Sequence, residues 1–372
     1  MTSPLLSIII PCFNEASTLR SCVDAVLGIA DDTRTIEVII VDDASTDDSP
    51  SIAGALSRAD PRIHLHHHAV NRGKGAALRT GFAAARGSFV AVQDADLEYD
   101  PRDLIKLLQP LIDGEADVVL GSRFLTTHAR RVLLFWHTMG NKFLTLLSNM
   151  LTDMNLTDME TCYKVFRREV IQSIDLVEDR FGFEPEVVAK LADRRLRVYE
   201  MGISYRGRTY EEGKKIGIRD GFRALYCIIR YNAHRASLPA QFAIYLFIGG
   251  TAAIFNLLLF LILFSAGMPT EISAAIAFVA AALLNYVLCV RTLFQAGSRW
   301  NRITEFAFYA LVVVAAGIVD VALVTYWVRA DGPAGIGKML ASFAALSINF
   351  LGRRYLVFSQ SRRGPWSRRR LR

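Results

Sequence analysis

Four long apolar segments in the second half of the chain constrain its fold more than any other feature. Each contains roughly the twenty residues that a helix needs to cross about 30 Å of hydrocarbon. They are Phe242–Phe264, Ile272–Val290, Phe306–Val328 and Met339–Phe358. The first and second segments, and likewise the third and fourth, are joined by short connections, so they pair as two hairpins. We predict a four-helix transmembrane bundle over residues 239–360.

The two hairpins end in similar sequences, 284-LNYVLCVRTLF-294 and 348-INFLGRRYLVF-358, which indicates a weak internal repeat. The loop between the hairpins is basic, as is the tail 361–372, whereas the other two connections hold few cations. Because cytoplasmic loops are enriched in Lys and Arg, we expect a multi-pass cell-membrane protein whose first half and both termini are cytoplasmic. Association of copies through the bundle stays open.

A segment of mixed character precedes the bundle at residues 216–238. Phe222, Leu225 and Ile229 recur at helical spacing, with Arg219, Arg223 and Arg230 nearby. Such spacing with flanking arginines is typical of an amphipathic helix that lies on the cytoplasmic leaflet. We therefore predict an interfacial helix here.

The first half of the chain, residues 1–215, alternates short β-branched runs with helical patterns. The predicted strands are Leu6–Pro11, Glu37–Val41, Ile63–His67, Phe89–Val92 and Asp117–Leu120. The helical patterns between them are Ala16–Ile29, Asp48–Ala59, Gly75–Ala85 and Pro101–Leu111. This alternation predicts an α/β, Rossmann-like domain with a parallel sheet covered on both faces.

Polar, turn-rich sequences follow the first four strands. They read 11-PCFNE-15, 41-VDDAS-45, 71-NRGKG-75 and 93-QDADLE-98. Ligands of parallel sheets bind beyond the carboxyl ends of the strands, so we expect all four sequences to open onto one crevice. Asp43 and Glu15 could hydrogen-bond a nucleoside there, and Lys74 and Arg123 could face a diphosphate or an anionic acceptor.

Three acids, Asp94, Asp96 and Glu98, stand at alternate positions after the fourth strand. Clustered carboxylates repel one another, so a cation is expected among them. Oxygen ligands suit a hard divalent ion, Mg²⁺ or Mn²⁺, which usually also takes substrate phosphates. The alternative is that Asp94 and Asp96 cap the helix that begins near Pro101.

Composition excludes several classes of protein. The chain has 372 residues, 52% of them hydrophobic, and a formal net charge of +7, which suits anionic lipids or substrates. No nucleic-acid-binding motif is present, so we expect no nucleic-acid partner. The five cysteines show no CxxC spacing and are interpreted as free thiols, and no signal peptide is expected. Three consecutive histidines, His66 to His68, are interpreted as structural or solvent-facing rather than as metal ligands.

The motifs of the first half resemble those of the family 2 glycosyltransferases with a GT-A (nucleotide-diphospho-sugar transferase) fold, and most closely the polyprenyl-phosphate or dolichyl-phosphate mannose and glucose synthases. The resemblance is carried by 7-SIIIPCFNEASTL-19, 38-VIIVDDASTDDS-49, 71-NRGKGAALRTGF-82, 91-AVQDADLEYDP-101, 121-GSR-123, 158-DMETCYKVFR-167 and 208-RTYEEGKKIG-217. The second half resembles the GtrA-like transmembrane domain found with such enzymes.

The resemblance implies an inverting transfer of a hexose from a UDP- or GDP-linked donor to a polyprenyl phosphate at the cytoplasmic membrane face. It also implies residue roles. Nucleotide-sugar contacts would come from Pro11, Phe13, Glu15, Val41, Asp43, Lys74, Asp94, Ala95, Arg208, Lys214 and Lys215, and metal contacts from Asp94, Asp96 and Glu98. Acceptor contacts would come from Arg123, His137 and Asn141, and the catalytic residues would be Asp96, Arg123 and Asp158, with Asp158 orienting or deprotonating the acceptor.

Two other functions remain open on the sequence alone. One is a processive family 2 polysaccharide synthase, although the Q-x-x-R-W motif of such enzymes is missing. The other is a transporter of lipid-linked sugars with a degenerate transferase domain, although the acids and the loop cations are all present. Asp158 could also simply cap a helix.

Overall fold

The computed structural model describes residues 5–31, 34–125, 131–207, 217–293 and 302–357. The chain forms two compact units, Met1–Tyr231 and Asn232–Arg372. The first is an α/β unit, and the second is built from helices. The predicted fold class, an α/β domain followed by an amphipathic helix and a helical membrane-type unit, is confirmed.

Seven strands form one sheet in the first unit, in the order β3-β2-β1-β4-β6-β5-β7. Their bounds are β1 Leu6–Cys12, β2 Ile36–Asp42, β3 Ile63–His67, β4 Phe89–Val92, β5 Val118–Ser122, β6 Lys164–Arg167 and β7 Val198–Gly202. The strand pairs β1–β2, β1–β4, β2–β3 and β5–β7 are parallel. The five predicted strands are all present, and their carboxyl ends meet at one edge of the sheet.

Strand β6 corrects the prediction of a wholly parallel sheet, because it runs antiparallel to both β4 and β5. Strand β5 ends at the polar edge, and the residues just before β6, including Cys162, lie at that same edge. The chain therefore enters β6 there and must run back in the opposite direction. Its short sequence, KVFR, begins with a buried lysine and gives no clear strand pattern.

Helices cover both faces of this sheet. They are α1 Leu19–Leu27, α2 Ser49–Ala59, α3 Lys74–Ala84, α4 Arg102–Ile112, α5 Phe135–Thr152, α6 Arg168–Gln172, α7 Phe183–Arg194 and α8 Ile218–Asn232. The core between them is dominated by β-branched and leucine side chains, such as Ile8, Ile10 and Val38, which are fully buried. Because these strands are buried on both faces, they read as continuous apolar runs rather than as alternating patterns.

Helix α8 is the amphipathic helix predicted before the bundle. Its buried face carries Ala224, Cys227 and Ile228, which leaves Phe222 exposed on the opposite side. Arg223, predicted to lie near lipid, instead donates two hydrogen bonds to the buried carboxylate of Glu178. This ion pair attaches α8 to the α/β unit.

The second unit is a structural repeat, as the similar hairpin ends predict. Helices α9 (Leu238–Ser265) and α11 (Arg302–Arg329) have 28 residues each, and α10 (Thr270–Leu288) and α12 (Ala334–Gly352) have 19 each. Each shorter helix runs into a five-residue π-helical segment, Cys289–Leu293 in the first hairpin and Arg353–Val357 in the second. The two hairpins therefore have matching helix lengths and matching irregular ends.

Three stretches in the described part of this unit are long and apolar enough to cross a membrane: Leu238–Ser265, Ala275–Leu293 and Ile303–Trp327. They correspond to the first three predicted spans. The fourth predicted span forms α12 and the following π-helical segment, and as a membrane span it stays a prediction.

Arg353 joins the two hairpins of the repeat. Its guanidinium donates to Asn285 Oδ1 at 2.6 Å, in the first hairpin, and to the hydroxyl of Tyr309 at 3.1 Å, in the second. It also lies 4.5 Å from the ring centroid of Tyr309 and 5.4 Å from that of Tyr245. Such cation–π contacts strengthen when the cation is removed from water, and Arg353 is buried.

We expect Arg353→Met to lower the melting temperature of the detergent-solubilised protein. Hydrogen bonds between apolar helices contribute about 1–2 kcal/mol at most, and this variant removes two of them together with the ring contacts. Arg354→Met is the matched control, since within the described residues the ring contact of that neighbour is with Tyr355. Equal melting temperatures for the two variants would contradict a joining role for Arg353.

Candidate active site

The polar loops that follow the strands surround one cavity of about 760 Å³, which lies wholly within the first unit. This is the crevice expected from the sequence. Twelve of the predicted site residues line it: Pro11, Phe13, Glu15, Asp43, Lys74, Asp94, Ala95, Asp96, Glu98, Arg123, His137 and Asn141. Two others do not, because Val41 is buried inside β2 and Asp158 lies behind Arg123. Arg208, Lys214 and Lys215 lie outside the described residues.

Three of these loops contain a non-glycine residue with a left-handed backbone. Asn14 follows β1, Ala44 follows β2 and Leu97 follows β4, with φ angles of 55°, 59° and 60°. Residues other than glycine rarely adopt this conformation, and such positions cluster at functional sites. The acids around Leu97 therefore lie in a turn beyond the end of β4.

Asp43 organises the loop between β3 and α3. Its carboxylate accepts hydrogen bonds from the backbone N–H groups of Arg72 and Gly73, at 2.9 and 2.6 Å, and its other contact is His68 Nδ1 at 2.6 Å. Gly73 has φ +97°, and an added Cβ would overlap the backbone of Asp179, so glycine is required there. The side chain of His68 is only 7% exposed and also contacts Thr80 Oγ1 at 2.9 Å, which agrees with the structural interpretation of this histidine.

Lys74 lies between two carboxylates on the cavity wall. Its Nζ is 3.0 Å from Asp94 Oδ1 and 3.2 Å from Glu184 Oε1. Burial opposes the charge of Lys74, but the two carboxylates outweigh that effect and raise its pKa well above the ordinary value. Asp94 and Glu184 are thus held beside a permanent cation.

Asp96 and Glu98 form the other acidic part of the cavity wall. The Glu98 carboxylate accepts a hydrogen bond of 2.7 Å from the Tyr205 hydroxyl, and Asp96 Oδ1 accepts the backbone N–H of Glu98 at 3.1 Å. Among the described residues, no three His, Cys, Asp or Glu side chains are arranged as a ready metal site. Carboxylate oxygens are nevertheless the donors that Mg²⁺ and Mn²⁺ prefer, and substrate oxygens usually complete such sites.

Arg123 and Asp158 form a buried, two-point ion pair at the end of β5. The guanidinium Nε and Nη2 each lie 2.7 Å from a different oxygen of Asp158, and the Arg123 N–H donates to the same carboxylate at 3.0 Å. Asp158 is fully buried, whereas Arg123 is 7% exposed and reaches the cavity. Asp158 holds Arg123 in place, and its role in orienting or deprotonating the acceptor stays a prediction.

Helix α5 has two unlike faces. His137 and Asn141, 3.3 Å apart, face the cavity together with Leu144. The opposite face is apolar and exposed to solvent, and it carries Phe135, Met139, Phe143, Leu146 and Met150. A contiguous exposed apolar face on a helix usually marks a site of interaction. The helical spacing of these residues could have revealed this face in the sequence.

Several cavity residues could not be assigned from the sequence, namely Glu160, Arg180, Glu184 and Tyr205. Glu160 lies within the motif 158-DMETCYK-164, but its acidic side chain has no role in the predicted pattern. Burial, aided by the nearby Glu184 carboxylate, raises the pKa of Glu160 to about 8. It is therefore mostly an uncharged acid at neutral pH.

Comparison with known protein families identifies both units. The family model described as "Glycosyl transferase family 2" matches residues 7–175, and the one described as "GtrA/DPMS, transmembrane domain" matches residues 244–358. The resemblance inferred from the sequence motifs is thus confirmed for both parts of the chain.

Three curated relatives are named as sugar transferases or synthases. The chain is 30% identical over 217 residues to the polyprenol monophosphomannose synthase of Mycolicibacterium smegmatis, covering 56% of this chain and 80% of that protein. It is 30% identical over 222 residues to the undecaprenyl-phosphate mannosyltransferase of Micrococcus luteus, covering 56% and 86%. The chain is 28% identical over 225 residues to the low-salt glycan biosynthesis hexosyltransferase Agl6 of Haloferax volcanii. It spans about half of the length of that protein, 52%.

Among solved structures, the chain is similar to glucosyl-3-phosphoglycerate synthase from Mycobacterium tuberculosis in complex with Mn²⁺, UDP and glucosyl-3-phosphoglycerate. That match has a TM-score of 0.49 at 20% identity and covers 62% of this chain and 80% of the other.

We expect Asp158→Asn to destabilise the protein strongly, because it leaves Arg123 buried without its counter-charge. Removing one partner of a buried ion pair costs about 3–5 kcal/mol. Asp100→Asn is the matched control, since it breaks a two-point pair with the exposed Arg102, which should cost roughly 1 kcal/mol or less. A variant of Asp158 that keeps its melting temperature but loses all activity would instead indicate a base.

Proposed function

This chain belongs to the family 2 glycosyltransferases, and we propose that it transfers a hexose from a nucleotide-diphosphate sugar to a polyprenyl phosphate. The observation that carries this proposal is the set of residues that line the cavity at the strand ends. It combines an acid-rich wall next to Lys74 with a buried, preoriented guanidinium at Arg123. Next to them lies α5, which exposes an apolar face. A donor diphosphate, an acceptor phosphate and a hydrocarbon chain each find a suitable surface.

At the donor end, we assign Phe13 and the residues around it to the nucleoside. Phe13 lines the cavity with its ring partly exposed, which suits stacking on a base. Pro11, Glu15 and Asp43 line the same wall, and Val41 supports it from within β2. The carboxylate of Asp43 already holds the loop at Arg72 and Gly73, so its contribution to the nucleoside is to shape that wall.

A divalent cation, Mg²⁺ or Mn²⁺, belongs to the proposed donor site. Asp94, Asp96 and Glu98 would hold it, with Lys74 competing for Asp94. When bound, such an ion neutralises the charge that grows on a departing diphosphate. Ala95 lies between the first two acids, and Arg208, Lys214 and Lys215 remain our candidates for cations that close over the diphosphate.

At the acceptor end, Arg123 orients the lipid phosphate, with His137 and Asn141 beside it. A guanidinium binds phosphate through two parallel N–H groups, and Asp158 fixes its plane. A phosphate oxygen attacks the anomeric carbon as the bond to the diphosphate breaks, which inverts the anomeric configuration. The phosphate is already anionic near neutral pH, so the reaction needs no general base, and Asp158 serves as a positioning residue.

We also propose a location. The apolar helices suit a membrane protein, and the basic loop between the hairpins and the basic segment 361–372 favour the cytoplasmic face for the catalytic unit and the chain ends. Prenyl chains partition into the bilayer, so a transferase that uses them needs a membrane-facing surface. The exposed apolar face of α5, and the exposed ring of Phe222 on α8, offer such surfaces.

We expect the purified protein to move radiolabelled hexose from a nucleotide-sugar panel into an organic-extractable glycolipid when short polyprenyl phosphate and Mn²⁺ or Mg²⁺ are present. Asp96→Asn should abolish this transfer and the metal dependence of nucleotide binding, because it removes a ligand charge. Asp113→Asn, in an exposed site far from the acids, is the control. Metal-dependent transfer by Asp96→Asn would rule out the metal assignment, and label found only in long polymer would favour a processive synthase.

We expect Arg123→Lys to raise the KM for polyprenyl phosphate without changing the Kd for nucleoside diphosphate. Lysine keeps the charge but loses the paired N–H groups. Loss of one charge-assisted hydrogen bond should raise this KM by about 10–100-fold. Arg102→Lys on the surface is the control. Parallel losses of nucleotide and acceptor binding, measured by calorimetry and by initial rates, would move Arg123 to the donor side.

A further inference from the structure

Two acids on the cavity wall have oxygen atoms that nothing in the described protein satisfies. Glu184 stands in the first turn of α7, is 4% exposed, and uses only one oxygen, Oε1, on Lys74. Its Oε2 is buried and has no hydrogen-bond partner among the described residues. Glu160 Oε1 is likewise buried and has no hydrogen-bond partner among the described residues. Both residues line the cavity.

Such atoms need an explanation, because folded proteins satisfy nearly all buried polar groups. Lys164 is buried close by, but its Nζ donates to the main-chain carbonyls of Met159 and Thr161. Arg123 is committed to Asp158. No described residue, Arg180 of the same cavity included, donates a hydrogen bond to either oxygen. Both oxygens can therefore accept hydrogen bonds from a ligand that carries donors.

A sugar ring meets this requirement better than the other parts of a donor. Each hydroxyl both donates and accepts a hydrogen bond, whereas phosphate oxygens only accept. The Glu184 oxygen can accept from a hydroxyl, and Glu160, mostly uncharged at neutral pH, can both donate and accept. A second anion beside the carboxylate of Glu184 would be repelled by it.

We propose that Glu160 and Glu184 bind the hydroxyl groups of the donor sugar and restrict the donor to a neutral hexose, excluding uronic acids. This inference rests on the proposed function, because it places the sugar of a nucleotide donor in this cavity. It assigns a selective role to two residues, neither of which belongs to the predicted nucleotide, metal or acceptor sets.

Calorimetry on the full chain in detergent tests the inference with defined probes. Kd is measured for UDP and GDP alone, and for UDP-glucose, UDP-glucuronate and GDP-mannose. The wild type is expected to bind one hexose donor more tightly than its free nucleotide, and UDP-glucuronate no more tightly than UDP. The hexose contribution is the ratio of the Kd of the free nucleotide to that of the nucleotide sugar. Glu160→Ala should lower this ratio about tenfold, as expected for a site built to hydrogen-bond a hydroxyl, and should leave the affinity for the free nucleotide unchanged. Glu169→Ala, an exposed acid on α6, is the control.

The outcomes separate this inference from the proposed function. If neither nucleotide binds the wild type, the proposed function fails and the inference falls with it. If nucleotide binds but Glu160→Ala keeps the full hexose contribution, only the inference is overturned. Should Glu160→Ala fail to fold, Glu184→Gln decides, because it removes charge at constant size, whereas Glu160 is already mostly uncharged at neutral pH. Glu184→Gln is expected to admit UDP-glucuronate, and unchanged rejection would overturn the inference.

Discussion

The buried ion pair between Arg123 and Asp158 holds together the ends of several strands. Its guanidinium lies 5.3 Å from the ring of Tyr205, which follows β7, and the Tyr205 hydroxyl donates to Glu98, which follows β4. Asp158 belongs to the segment that leads into β6. Since an unpaired buried charge is costly, these groups fix one another, and Arg123 is presented to the cavity in a single orientation.

This arrangement gives the cavity an electrostatic pattern before any ligand binds. Lys74 is held between Asp94 and Glu184, and Arg123 is held by Asp158. Groups fixed in advance stabilise developing charge without having to reorganise during the reaction. A transferase that moves a sugar between two phosphates needs this property, because the attacking phosphate loses negative charge while negative charge develops on the departing diphosphate.

The sequence predicts the location of the cavity better than its internal contacts. The strand-end rule placed Asp43, Asp94 and Arg123 around one crevice because parallel strands share an edge. It could not predict that Lys74 pairs with Glu184, or that Asp158 forms an ion pair with Arg123, because those contacts join residues far apart in the chain. Periodicity describes one element at a time and carries no information on such pairs.

The same limit explains two further differences. Strand β6 is too short and too polar to show a pattern. Its antiparallel direction follows because the chain enters it at the same edge of the sheet at which β5 ends. The apolar face of α5, by contrast, has regular helical spacing in the sequence and could have been predicted.

The most direct test is an experimental structure of the full chain with nucleoside diphosphate, Mn²⁺ and a short polyprenyl phosphate. We predict one cavity holding both ligands, with the lipid phosphate in hydrogen-bond contact with Arg123 and the nucleotide on the wall of Phe13 and Asp43. A lipid phosphate bound away from Arg123, or only among the helices of the second unit, would contradict the account.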